Sequence, residues 1–125
     1  MDLPKDLYYT KDHEWIQYDG QIVTIGITDF AQSELGDVIF LEFPDVGQDL
    51  IQNDPFGTIE AVKTVADLNA PVAGNVLETN AELEDAPELV NQDPYGKGWM
   101  IKIEVEDDSG KAELLSAEEY EAAFN

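Results

Sequence analysis

The chain has 125 residues and 43% hydrophobic side chains. That is enough for one domain, residues 1–125, burying roughly two-thirds of the surface its unfolded form exposes. Cysteine is absent and histidine occurs once, which excludes disulfides, thiolate metal sites, cysteine nucleophiles and multi-histidine centres. Six lysines against 28 acids leave a formal net charge of −22, which repels nucleic-acid phosphate and anionic membrane and suits basic protein surfaces or cationic ligands.

The opening Met1-Asp2-Leu3-Pro4 has neither the basic flank nor the apolar run of a targeting peptide. No stretch approaches the roughly 20 apolar residues that cross a bilayer. A cytosolic protein, or a mature form, is expected. Trp15 to Tyr18 and Gln21 to Ile25 flank Asp19-Gly20, a pair that accepts the positive φ of a tight hairpin. Asp29 is expected to cap a short helix from Phe30 to Leu35, with Gln32 as its capping-box partner and Gly36 as its stop. Val38 to Phe43 is nearly all apolar and is expected to be a strand buried on both faces.

Pro44 to Gly47 makes a turn, and Gly57 to Val62 and Val65 to Leu68 are short strands on either side of Lys63-Thr64. A second Pro-x-x-Gly turn, Pro71 to Gly74, leads into Val76 to Thr79. Leu41/Leu68, Pro44/Pro71, Gly47/Gly74, Leu50/Leu77 and Asn53/Asn80 share one spacing, which two related half-motifs or a chance coincidence of five matches would equally give. Pro87 to Val90 predicts one helical turn, Asp93 to Gly96 a loop, and Trp99 to Val105 the last strand. Ser116-Ala117-Glu118-Glu119 is a capping box that opens a helix to about Ala123. Short strands between Gly/Pro turns make a mainly β sandwich or barrel with short helices.

Chemistry is sparse. With 28 acids, some pair always looks like a catalytic dyad, and a solvated acidic surface explains them equally. Glu104 to Asp108 lacks the alternating ligand spacing of a calcium loop. His13 adjoins Glu14, a contact that could raise its pKa or orient it as a base, but none of Ser33, Ser109 and Ser116 sits on a nucleophile elbow. A structural histidine is the expectation, and no catalytic or metal site is assigned. Lys63 stands apart at a hairpin tip, exposed and rigidly presented. Surrounding negative charge raises an amine pKa, which disfavours Schiff-base chemistry there. Covalent attachment by another enzyme has no such requirement.

These segments also carry a family resemblance. His13-Glu14-Trp15-Ile16, the run Gly26 to Gln32, Leu35 to Val38, Phe56 to Lys63, Ala66 to Gly74, Leu89-Val90-Asn91 and Asp93 to Ile103 together resemble the H proteins of the glycine cleavage system. The resemblance implies a lipoyl/biotinyl-type barrel-sandwich hybrid of two related halves, with short helices including one at the C-terminus. It implies a non-catalytic carrier with covalent lipoate on Lys63, and Glu60 as part of what the lipoylating enzyme recognises. Glu14 and Asp67 would face the cationic amine of the loaded arm in a surface cleft. The implied partners are a pyridoxal-phosphate glycine decarboxylase that loads an aminomethyl group, a tetrahydrofolate-dependent aminomethyltransferase that removes it, and a flavin-dependent dihydrolipoamide dehydrogenase.

A monomer is expected, in the cytoplasm, or in the mitochondrial matrix for a mature eukaryotic form. Ala61 stands where the family often has serine. The alternative is a lipoate-relay carrier or an H-like paralogue outside glycine catabolism. A biotin carrier is disfavoured because Val62 and Thr64, not methionines, flank the lysine.

Overall fold

The computed structural model describes residues 3–107 and 109–124. The strands are β1 (Tyr8–Tyr9), β2 (Glu14–Asp19), β3 (Ile22–Ile27), β4 (Val38–Glu42), β5 (Asp49–Leu50), β6 (Pro55–Ala61), β7 (Val65–Asn69), β8 (Gly74–Thr79) and β9 (Ile101–Glu104). The helices are α1 (Asp29–Leu35), α2 (Glu82–Asp85), α3 (Leu89–Gln92) and α4 (Ala117–Phe124), with a 3-10 turn at Ser109–Glu113. One sheet has the order β1-β2-β3-β9-β8-β5 and the other β4-β6-β7. The protein is therefore mainly β, as expected. No helix among the described residues is long and apolar enough to cross a membrane.

The two sheets share one core. Ile16, Val23, Ile25 and Ile103 from the larger sheet pack with Leu41, Ile59 and Leu68 from the smaller, and each such burial is worth about 1.5–3 kcal/mol. A second cluster, Tyr9, Trp15 and Tyr120 with Leu7 and Ala117, seats α4 against β1 and β2. The start of α4 follows from its capping box: Glu119 N–H donates to Ser116 Oγ at 3.1 Å, and Ser116 N–H to Glu119 Oε1 at 2.9 Å. The sequence repeat has a structural counterpart. β4 and β7 begin and end at the spacing of the paired residues, and both flank β6 in the small sheet.

Several expectations change. Asp19 pairs with Ile22, so the tight turn is Gly20-Gln21, with Gly20 taking the positive φ of 63°. Thr28, not Asp29, caps α1: its backbone is extended and its hydroxyl accepts from Ala31 N–H at 3.1 Å. Gln32 then donates to Asp29 Oδ1 at 2.8 Å within the first turn. Gly36 ends the helix at φ 79° as expected.

β4 is not buried on both faces. Its inner residues Val38 and Leu41 are buried, whereas Ile39 and Phe40 are about half exposed at 50% and 53%. A register shift between Val38 and Phe40 turns both residues outward. The Pro87 to Val90 turn lies two residues later, as α3, and α2 precedes it. β6 begins at Pro55, two residues before the expected start at Gly57, and β9 is shorter at both ends than the Trp99 to Val105 run. Of the stretches discussed from sequence, Met1, Asp2 and Asp108 lie outside the described residues.

Candidate functional site

β6 and β7 are joined by a tight turn in which Ala61 N–H donates to the Thr64 carbonyl at 2.8 Å. Lys63 is exposed at its tip between Val62 and Thr64. The tip does not hang free, because Val62 N–H donates to the Asp37 carbonyl at 3.0 Å. That bond ties the hairpin to the short connection between α1 and β4.

Gly36 lies in the same connection. A Cβ placed on it would sit 3.7 Å from Lys63 Cδ and Cε, so the aliphatic stem of the lysine runs over a backbone bared by glycine. Asn91 of α3 fastens this connection from beneath. Its Oδ1 accepts from Val38 N–H at 2.9 Å, and its Nδ2 donates to the Gly36 carbonyl at 2.8 Å and to Gln32 Oε1 at 3.1 Å. Asn91 was part of the family resemblance, but its role as a fastener was not legible from sequence.

Beside this hairpin lies a cleft of about 240 Å³ between α1 and β7. Apolar side chains of Ile27, Phe30, Leu35, Ile59 and Leu68 line it, together with the carboxyl groups of Asp12, Glu14, Glu34 and Asp67. Glu14 and Asp67, singled out from sequence, come to one cleft although they lie in different sheets. Asp12 and Glu34 were missed, since nothing distinguishes them among so many acids. Glu60 is outside the cleft, on the outer face of the small sheet beside Phe40 and Val65. Ala61 is buried opposite Val38, so a serine hydroxyl there would point into the sheet and not toward a partner.

Glu14 is 3% exposed. Its Oε1 accepts from Thr10 Oγ1 at 3.2 Å and its Oε2 from Asn69 N–H at 3.0 Å. Those bonds favour the ionised form, yet burial, with Asp12 adding to it, pushes the carboxyl up to about 8. At neutral pH the side chain therefore holds a proton that an approaching cation would displace.

His13 does not pair with Glu14. Its Nδ1 is 2.7 Å from Tyr120 Oη, and its ring lies 4.7 Å from Phe30 and 4.6 Å from Phe124, centroid to centroid. Burial is the largest influence on the imidazole and lowers its pKa, the reverse of what a carboxylate neighbour would do. Tyr120 Oη also meets Thr28 Oγ1 at 3.0 Å. The histidine is thus a wall of the cleft pinned by α4, and its backbone takes a positive φ of 68° to reach that position. Glu106 and Asp107 line a separate acidic depression near Asp49. No group of three or more His, Asp or Glu among the described residues could hold a metal ion.

The model of the family described as glycine cleavage H-protein matches residues 7–125. A glycine cleavage system H protein of Oceanobacillus iheyensis is 57% identical over 122 residues, covering 98% of this chain and 97% of that protein. One of Geobacillus kaustophilus is 54% identical over 125 residues, covering 100% and 98%. The crystal structure of an H protein from Mycobacterium marinum superposes with a TM-score of 0.89 at 38% identity, covering 97% of this chain and 98% of that one. Matched almost end to end by the family model and by these relatives, the chain belongs to the glycine cleavage H-protein family, whose members carry lipoate and are not catalysts.

Proposed function

We propose that Lys63 is the residue on which this carrier bears its lipoyl group, and that the cleft of Glu14 and Asp67 receives the loaded end of the arm. One observation carries the reading: the lysine is exposed on a turn whose position is fixed by backbone hydrogen bonds, next to a cleft of mostly apolar walls and carboxyl groups. A lipoyl group held on Lys63 would supply a reducible disulfide as the acceptor of an aminomethyl group.

The chain's own residues do the rest. The Val62–Asp37 bond and the glycine surface at Gly36 orient the stem of Lys63. Phe30, Leu35 and Leu68 exclude water from whatever enters the cleft, which strengthens attraction between a cationic amine and the carboxyl groups there. Glu14 gives up its proton when an ammonium approaches, since an opposite charge lowers the pKa that burial has raised. A carrier built this way receives its load from a pyridoxal-phosphate glycine decarboxylase. It surrenders the carbon to a tetrahydrofolate-dependent aminomethyltransferase and electrons to a dihydrolipoamide dehydrogenase, as a monomer among those enzymes in the cytoplasm.

The test is intact mass with peptide mapping after co-expression with a lipoylating enzyme and lipoate. One lipoyl group on Lys63, absent from Lys63→Arg, is expected, with the two proteins melting at the same temperature because Lys63 is exposed. Modification at another lysine, or none, would overturn the assignment. Lipoylated protein that the decarboxylase cannot load would point to a lipoate-relay role instead.

A further inference from the structure

Tyr120 of α4 is fully buried, stacked on Tyr9 with ring centroids 5.1 Å apart and packed against Phe124 at 5.0 Å. A phenylalanine would fill the same space with no polar atom to satisfy, so the hydroxyl answers to its partners rather than to packing. Its oxygen lies 2.7 Å from His13 Nδ1 and 3.0 Å from Thr28 Oγ1, residues 107 and 92 positions away in the chain. Both bear on the cleft. His13 lines it directly, and Thr28 caps α1, whose Phe30, Ala31, Glu34 and Leu35 form one side. The two are also joined to each other, because Thr28 N–H donates to the His13 carbonyl at 2.9 Å.

The protons of this cluster run in one direction. Thr28 Oγ1 accepts from Ala31 N–H at 3.1 Å, which leaves its own proton for Tyr120 Oη, and the phenol proton then goes to His13 Nδ1. In that order each hydroxyl both accepts and donates, and no buried side-chain nitrogen or oxygen among the described residues lacks a partner. The imidazole then carries its proton on Nε2 alone and is uncharged. Its surroundings pull the other way. Asp12 and Glu14 flank it, and Glu34 of α1 and Asp67 of β7 share the cleft with it. The charges of Asp12 and Glu34 favour an imidazolium there.

We infer that Tyr120 is a positioning residue for the load: its hydroxyl donates to His13 Nδ1 and accepts from Thr28, and so keeps the imidazole an uncharged wall of the cleft. The inference rests on the cleft receiving the loaded end of the arm. An imidazolium beside the carboxyl groups would take up the negative charge that the load needs. It would also repel an ammonium within a space of about 240 Å³. A proton reaches Nδ1 only when the phenol O–H turns away, and the hydrogen bond from Thr28 resists that turn. The carboxyl groups are left to the amine.

The experiment compares Tyr120→Phe and Thr28→Ser with the wild-type protein, and takes Glu14→Gln as the reference for a damaged cleft. On the unmodified chains, His13, the one histidine present, is titrated through its imidazole NMR signals. Tyr120→Phe is expected to move the midpoint to higher pH, since the neutral ring loses its donor. Thr28→Ser keeps its hydroxyl and is expected to leave the midpoint in place. On the lipoylated and loaded chains, loss of the aminomethyl group to water is followed by mass, at a temperature where circular dichroism shows every chain folded. Loss is expected to be about fivefold faster in Tyr120→Phe, the worth of one hydrogen bond, and unchanged in Thr28→Ser.

A midpoint that stays or falls in Tyr120→Phe would overturn the direction of the hydrogen bond and the inference with it. A raised midpoint with unchanged loss would overturn the positioning role and leave Tyr120 to packing alone. In both cases the cleft reading stands if Glu14→Gln sheds its load faster than the wild type. Glu14→Gln as slow as the wild type would remove the load from the cleft, and with it this inference.

Discussion

Glu14 is a carboxyl group held where ionisation is expensive. Its folded pKa, about 8, lies above the ordinary 4.5, so the folded state binds this proton more tightly than the unfolded one. The stability that this group contributes is full below about pH 4.5 and is lost as pH rises through 8. Glu14→Gln keeps an acceptor for Asn69 N–H and removes the titration. Denaturant unfolding at pH 5.5, 7 and 9 should show a wild-type decline, relative to the variant, on the order of a few kcal/mol over that range. Parallel profiles for the two proteins would mean that Glu14 ionises freely. Neither the depth of Glu14 nor the Asp12 charge beside it is evident in His13-Glu14-Trp15; the sequence supplied the residue, and burial together with the bond from Asn69 N–H at the end of β7 supplied the environment.

At the scale of elements, the hairpin owes its position to pieces distant in sequence. α1 is capped by Thr28, and Tyr95 Oη accepts from Asp29 N–H at 2.9 Å. Its far end is held by Asn91, and the connection that Asn91 holds in turn anchors Val62. Asn91→Ala leaves Val38 N–H and the Gly36 carbonyl without that partner, a loss of about 2 kcal/mol. Hydrogen exchange should then show the Val62 amide exchanging faster, while amides in β2 and β3 change only through global stability. A Val62 amide as slow as in the wild type would mean that the hairpin is held without α3.

The hairpin, the helix that follows β3 and the C-terminal capping box were legible because short-range signals such as Gly20, Gly36 and Ser116 act within a few residues. Thr28 and Asp29 are both able caps, and only the extended backbone at Thr28 decides between them. β1 and β5 have two residues each; no periodicity can appear over such a length, and they exist because Trp15 and Asn75 offer them ladders.

For the whole molecule, the net charge of −22 is the dominant global quantity. Repulsion among acids is strongest at low ionic strength, so raising salt from about 10 mM to 0.5 M should stabilise the wild-type protein. A gain of about 1 kcal/mol appears as a rise of roughly 3–5 °C in Tm. A flat or falling Tm would mean that pairing with the six lysines already offsets the repulsion.

Composition and local pattern by themselves determined the mainly β class, the exclusion of thiol and multi-histidine chemistry and the exposed lysine on its turn, since each depends on residue type and near neighbours alone. Tertiary structure decided which acids face a cleft, which way β4 turns its apolar residues, and that His13 bonds to Tyr120 and not to Glu14. Those outcomes depend on burial and on contacts between residues far apart in the chain, and two identical carboxyl groups differ only once the fold has removed water from one of them.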